Sequence, residues 1–171
     1  GETMEQTMRT VDLFVTTSLR GSAKGPGRVM YVLRTLKKDG KPYESRPAVA
    51  EYDDTSERKL ILSAIRDALS SLKYPCMVVA HTECDYIASV LSQGWLTRWQ
   101  QSGWRTSRDK EVKDACLWSM LLQDLEEDGH VLTAVAEKHE FVDRMRCEMA
   151  LAKPYKDVFI QMDKNADWQQ G

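Results

Sequence analysis

The chain has 171 residues, 42% of them hydrophobic and 29% charged, with 24 basic against 26 acidic side chains and a net charge of −2. That length suits one compact domain with a core of its own and is short for two, and the composition excludes a disordered or collagenous polymer. The slight negative charge excludes a generally basic nucleic-acid coat, so a polyanion would have to be met by a local patch.

Residues 1–7 contain no positive region followed by an apolar run, and no stretch is long and apolar enough for a membrane span, so the expectation is a cytoplasmic protein with no membrane partner. The four cysteines, Cys76, Cys84, Cys116 and Cys147, form no C-x-x-C pair, and no histidine lies at ligand spacing from them. They are expected to be reduced and mostly buried.

A strand is predicted over 11–17, where Val11, Leu13 and Val15 alternate with Asp12, Phe14 and Thr16. The glycines and proline of 21–27 mark a tight connection, 28–36 has the pattern of a second strand, and Asp39-Gly40 signals a hairpin before a third strand near 45–52. Thr55-Ser56-Glu57 offers a capping hydroxyl and an acid to the first turn of a helix running to about 72, with Ile61, Ala64, Ile65, Ala68, Leu69 and Leu72 on one face. Residues 76–80 are too apolar for anything but a buried central strand, parallel to the first. Helices follow over 85–93 and from Trp118 to about 127, the latter ended by Gly129. A last strand over 130–135 precedes a closing helix with Phe141, Met145, Met149 and Ala152 at helical spacing. Three strands in a row and then alternating helices and strands predict a mixed sheet covered by helices. The expected organisation is an N-terminal segment over 1–10, one domain over 11–153, and an extension over 154–171 whose Val158, Phe159, Ile160 and Met162 dock it on the domain.

Four of the five tryptophans fall within 95–118. Between Trp95 and Lys113, the cations Arg98, Arg105, Arg108, Lys110 and Lys113 meet only Asp109 and Glu111, a local net charge of +3. Cations attract phosphates at long range while indoles fix the loop that carries them. A core helix pair joined by a solvated charged connection is the plainer alternative.

The order of these residues, Trp95 and Trp99, Gly103-Trp104, Val112-Lys113-Asp114, then Leu117-Trp118, resembles the handle, or basic protrusion, of the bacterial-type ribonuclease H family. Residues 11–18 with Gly21, Gly25 and Gly27 are similar to that family's first strand and glycine-rich turn. Thr82-Glu83-Cys84-Asp85-Tyr86-Ile87 resembles its T-D-S-x-Y-V, and Arg146-Cys147-Glu148 the R-x-D of its last helix. The resemblance implies an α/β, ribonuclease H-like fold: a five-stranded mixed sheet, three antiparallel strands and then parallel ones, flanked by helices.

That family's chemistry uses carboxylates converging at the end of the sheet to hold two divalent metals. By the resemblance, the four positions fall here at Thr16, Leu60, Glu83 and Glu148, and His139 matches the loop histidine before the last helix. Two positions have lost their charge and two have gained a methylene, whereas hard cations require anionic or carbonyl oxygens. No metal is therefore expected, and residual activity would place Mg2+ or Mn2+ at Glu83 and Glu148. Glu57 is assigned to the helix start, Asp53 and Asp54 to a turn, Asp85 to a helix cap and His81 to a strand end. The expected function is that of a pseudo-enzyme with a degenerate active site, binding an RNA/DNA hybrid or duplex nucleic acid weakly and without sequence preference. Arg98, Arg105, Lys110 and Lys113 would meet phosphates, Trp95, Trp99 and Trp104 would hold the helix and loop, and Trp104 alone would reach a sugar. Two alternatives stay open: a metal-dependent hybrid endoribonuclease with altered ligands, and a scaffold module with a protein partner. A monomer is expected.

Overall fold

The structure, a computed structural model, describes residues 8–153. The expected docking of 154–171 lies outside the described residues, as does the start of the N-terminal segment.

β1 (Arg9–Thr17) is the axis of the sheet. Its alternation sends Val11, Leu13 and Val15 to one face and Asp12, Phe14 and Thr16 to the other, and all of these except Asp12 are buried. Both faces are therefore covered toward its C-terminal end. β2 (Lys24–Leu36) pairs antiparallel with β1, with Leu33 opposite Leu13. The far edge of β2 takes two segments, β3 (Pro42–Glu44) and β4 (Ala48–Ser56), where one strand was expected. Ser45 lies in the break between them, its hydroxyl accepting the Leu33 N–H and its own N–H donating to the Leu33 carbonyl, and Pro47 has no N–H to offer a ladder. Asp53 and Asp54, expected in a turn, are strand residues of β4.

β5 (Cys76–Thr82) runs parallel to β1 on its other edge, and β6 (Val131–Ala136) runs parallel to β5. The sheet order is β3-β2-β1-β5-β6, with β4 also on β2, so six segments fill the five expected positions. The second strand starts four residues earlier than predicted and takes in Gly25 and Gly27 across a register shift. At Gly27 a Cβ would come within 2.8 Å of Leu19 Cδ1 and 2.9 Å of Thr55 Cγ2, so a larger residue would have to push those side chains aside.

α1 (Glu57–Ser70), α2 (Asp85–Ser92), α3 (Trp95–Gln101) and α4 (Ala115–Asp128) share one core with Val11, Leu13, Val15, Tyr31 and Leu33. α5 (Val142–Leu151) covers the opposite face, seating Met145 and Met149 against Phe14, Met30, Val32 and Val49. The Ser56 hydroxyl caps α1 by accepting the Lys59 N–H, as predicted. Asp85 is not a cap: Cys84 occupies that position, and Asp85 sits in the first turn, where its charge suits the helix dipole. Gly129 ends α4 at φ 74° with its N–H on the Leu125 carbonyl. Trp118, 1% exposed, meets Trp99 at 5.9 Å and Tyr86 at 6.4 Å between ring centroids. Two of the four free cysteines, Cys116 and Cys147, are exposed rather than buried. Among the described residues no helix is long and apolar enough to cross a membrane.

Two histidines are built into the interior. His139 Nε2 lies 3.1 Å from the Val15 carbonyl and its Nδ1 faces the Phe141 N–H at 3.3 Å, which together require the neutral Nε2–H tautomer. His130 accepts the Cys76 N–H at Nδ1, 3.0 Å away. Burial, above all, holds both imidazoles below the ordinary histidine value.

Truncating Trp118 to alanine is expected to cost about 3–5 kcal/mol in urea unfolding. Leu36→Ala, at a side chain 59% exposed, should stay within about 0.5 kcal/mol. Because the folded state keeps His130 and His139 neutral while the unfolded chain takes up protons, their contribution is complete above about pH 6.5 and is lost as pH falls below it, by at most about 1.4 kcal/mol per pH unit for each ring. Urea midpoints measured between about pH 7.5 and 5 should therefore fall with pH, and fall less steeply in His139→Gln.

Candidate functional site

Because β1 and β5 are parallel, their C-terminal ends lie side by side, the usual position for ligands in sheets of this kind. Phe14 pairs with His81, which brings Thr16 level with Glu83 two residues further along each strand. The first turn of α1, following directly on β4, closes the third side. Between them is a void of only about 10 Å³, lined by Thr16, Arg20, Glu57, Ile61, Thr82 and Glu83 among others.

Leu60, expected here by the resemblance, is 0% exposed in the main core and does not line the void. Glu57, one turn earlier, lines it instead. Its Oε1 accepts the Gly21 N–H at 3.2 Å, and its side chain is turned inward beside the Cys84 thiol. Burial first, and then the Glu57 charge, push that thiol up, against the opposing effect of the Ile87 N–H. The signal for Glu57 was in the sequence: it lies four residues before Ile61, on the buried side of the helix, but its place at the helix start suggested a purely local role.

Glu83 is at the predicted place and is already paired. Arg20 Nη2 donates to its Oε1 at 3.1 Å, and Arg146 Nη2, from α5, donates to the same oxygen. Neither arginine was singled out from the sequence as part of the site. The Thr16 hydroxyl is buried with no hydrogen-bond partner among the described residues. Glu148 does not join the group: it is exposed, and Arg144, one turn before it, approaches at 3.7 Å. Residues two apart on a helix point about 200° from each other, so when Arg146 turns toward Glu83, Glu148 turns away. His139 is buried, with its Nε2 near the Val15 carbonyl and its Nδ1 facing the Phe141 N–H.

A pair of divalent ions needs several anionic oxygens and room for a coordination shell. Here one carboxylate is matched by two guanidiniums, the second is bonded to a backbone N–H, and the void is about the size of one water. These residues do not fit two divalent ions. Among the described residues, no group of three or more His, Cys, Asp or Glu side chains is placed to hold a metal.

His81 lies on the open side of β5, where Nε2 meets Asp12 at 2.8 Å, Nδ1 meets Glu137 at 2.6 Å, and the ring stacks on Phe14 at 4.7 Å. It belongs to the floor of a separate cleft of about 610 Å³ that also includes Arg9, Arg34 and Lys138.

The tryptophan segment forms α3 and a tight loop after it. After α3, Gly103 and Trp104 both take left-handed conformations, at φ 67° and 62°. That is rare for tryptophan and is offset by its contacts: its N–H donates to the Trp99 carbonyl at 2.7 Å, its carbonyl accepts the Val112 N–H at 2.9 Å, and its ring lies 6.5 Å from Trp99. Arg105 bridges to Glu111 through the backbone, Thr106 donates to the Lys110 carbonyl, and Arg105 Nε reaches Asp109 at 3.0 Å. The loop is thus a small hairpin pinned by its own ion pair, and Arg105 helps to hold it. Lys110 and Lys113 are exposed. Arg98 stands 4.8 Å above the Trp95 ring, and Trp95, 36% exposed, is more open than the half-buried Trp104 that was expected to reach a sugar. A groove of about 480 Å³ runs among Trp95, Arg98, Trp99 and Arg105.

The chain matches the RNase H family over residues 9–142. It is 34% identical over 103 residues to a ribonuclease H of Caldicellulosiruptor saccharolyticus, covering 59% of this chain and 66% of that protein. It is 30% identical over 156 residues to one from Novosphingobium aromaticivorans, covering 85% and 99%. Among solved structures it resembles a type 1 RNase H with the type 2 active-site motif, at a TM-score of 0.64 and 15% identity over 84% of this chain and 73% of that one. It also resembles part of a foamy viral protease-reverse transcriptase solved with an RNA/DNA hybrid, at a TM-score of 0.57 and 16% identity over 92% of this chain and 20% of that one. At those identities the structures speak for the fold alone. The family match ends at residue 142, ahead of nearly all of α5 with its Arg146 and Glu148, yet it takes in all six strand segments and the four helices before, and on that span the chain belongs to the RNase H family.

Proposed function

We propose that this chain binds the sugar-phosphate backbone of an RNA/DNA hybrid or duplex through its handle, weakly and without sequence preference, and does not cleave it. The observation that carries the second half is the Glu83 carboxylate, held by Arg20 and Arg146 at the end of β5. With Thr16 at the end of β1 and Glu148 turned outward, the acids required to gather divalent ions are not assembled. What supports the first half is the handle: a pinned hairpin followed by Lys113, with Lys110, Lys113 and Arg98 all exposed and the indoles of Trp95, Trp99 and Trp104 in tilted contact beneath. The foamy viral relative in fold was solved with an RNA/DNA hybrid, which is the ligand class to try first.

Phosphate contacts supply affinity without reading bases. Fluorescence anisotropy with a labelled hybrid should give a Kd of about 10⁻⁴–10⁻⁶ M at physiological salt, weakening steeply with added salt. Lys110→Gln with Lys113→Gln should lower the slope of log K against log salt by about 2, equally for unrelated sequences. Binding that ignored salt would refute the handle reading.

A nuclease with an altered ligand set is the second reading, favoured by Glu57 lying at the same void as Glu83. A hybrid-cleavage assay in magnesium and in manganese separates the two. No cleavage above background is expected, and cleavage abolished by Glu57→Gln or Glu83→Gln would establish the nuclease instead.

A further inference from the structure

We propose that Arg20 and Arg146 form a phosphate clamp, a site at the joined ends of β1 and β5 for one phosphodiester of a bound nucleic-acid strand. The proposal rests on the nucleic-acid reading above and adds a second contact surface, distinct from the handle.

The unusual feature is the stoichiometry. Arg66 is bidentate on Asp124, Arg34 pairs with Glu140, and Arg105 pairs with Asp109. At Glu83 two guanidiniums, one from the loop after β1 and one from α5, meet a single carboxylate oxygen. The three side chains carry a net charge of +1. Glu57 does not cancel it at the surface, because that carboxylate is buried and turned to the Gly21 N–H.

The geometry leaves donors available. A guanidinium presents five N–H groups in a planar fork, and each arginine uses only Nη2 on Glu83, so Nε and Nη1 of both forks bond nothing else among the described residues. The side chains of Arg20 and Arg146 are 48% and 30% exposed and that of Glu83 is 21%, so both arginines are more open to solvent than the acid they share. Planar forks match the oxygens of a phosphodiester, and a single phosphate charge would bring the cluster to neutrality. A free anion gains little from one such half-exposed contact. A strand already held by the handle presents its phosphates at high effective concentration, which favours a polymer as the occupant.

The test is hybrid binding by anisotropy in EDTA, over a salt series, with each variant's thermal melt as a folding control. Arg20→Gln leaves Arg146 on Glu83 and should weaken binding several-fold, lowering the salt slope by about 1. Glu83→Gln frees both forks and should tighten binding several-fold, which a purely structural ion cluster would not do. Arg20→Gln with Arg146→Gln should lose at least as much as the single variant, and if Arg146→Gln does not fold, Arg20→Gln and Glu83→Gln decide. Unchanged affinity and slope in the arginine variants, alongside weakened binding in Lys110→Gln/Lys113→Gln, would overturn the clamp and leave the handle intact. No binding by the parent chain at low salt would overturn both. Displacement of the hybrid by millimolar inorganic phosphate in the parent chain, but not in Arg20→Gln, would reassign the site to a free anion and overturn the proposal for a strand.

Discussion

The parallel pairing of β1 with β5 is the constraint from which the rest follows. Two parallel neighbours cannot be joined by a tight turn, so the chain has to travel back along the sheet between them, and here that return carries β2, β3, β4 and α1. Both strands end on the same side, and α1 starts there as well. Residues far apart in sequence, Thr16, Glu57 and Glu83, are thereby brought to a single void. α5 is the last piece: Met145 and Met149 fix it on the face opposite the other helices, and that placement lets Arg146 reach Glu83.

Electrostatics at this junction is settled by side chains. A divalent pair would bring four positive charges and call for a matching set of oxygens, whereas two arginines bring two charges and need no coordination shell. Thr16, in the middle of the group, keeps a hydroxyl where a carboxylate would have repaid a metal's lost hydration. The same two cations that neutralise Glu83 remain partly in solvent, so the junction is polar and closed underneath and cationic on top.

Much of this was legible in the sequence. The alternation in residues 11–17, the uniformly apolar 76–80, the Asp39-Gly40 turn and the apolar faces of the helices located the elements. What escaped were features that depend on how elements meet. The third strand was expected near 45–52, across Pro47, whereas the ladder on β2 is broken at 45–47 and runs on either side of it. The resemblance put Leu60 at the site, while the observed helix presents Glu57, because which residue of a turn faces inward depends on where the helix begins. The rotation of α5 decided between Arg146 and Glu148, two residues with opposite charge and opposite outlook, and no spacing rule distinguishes them in advance. His139 is a comparable case: β1 holds it through the Val15 carbonyl and the Phe14 ring, contacts far away in sequence.

The left-handed turn at Gly103-Trp104 and the Arg105 to Asp109 bridge bear on how the handle meets a ligand. A loop whose backbone is already fixed loses little freedom when it touches a stiff duplex, so the ordering penalty that burdens disordered basic arms is absorbed during folding. Such a surface can dock as a rigid body, and its encounters would be limited by diffusion and charge steering rather than by a slow rearrangement after contact.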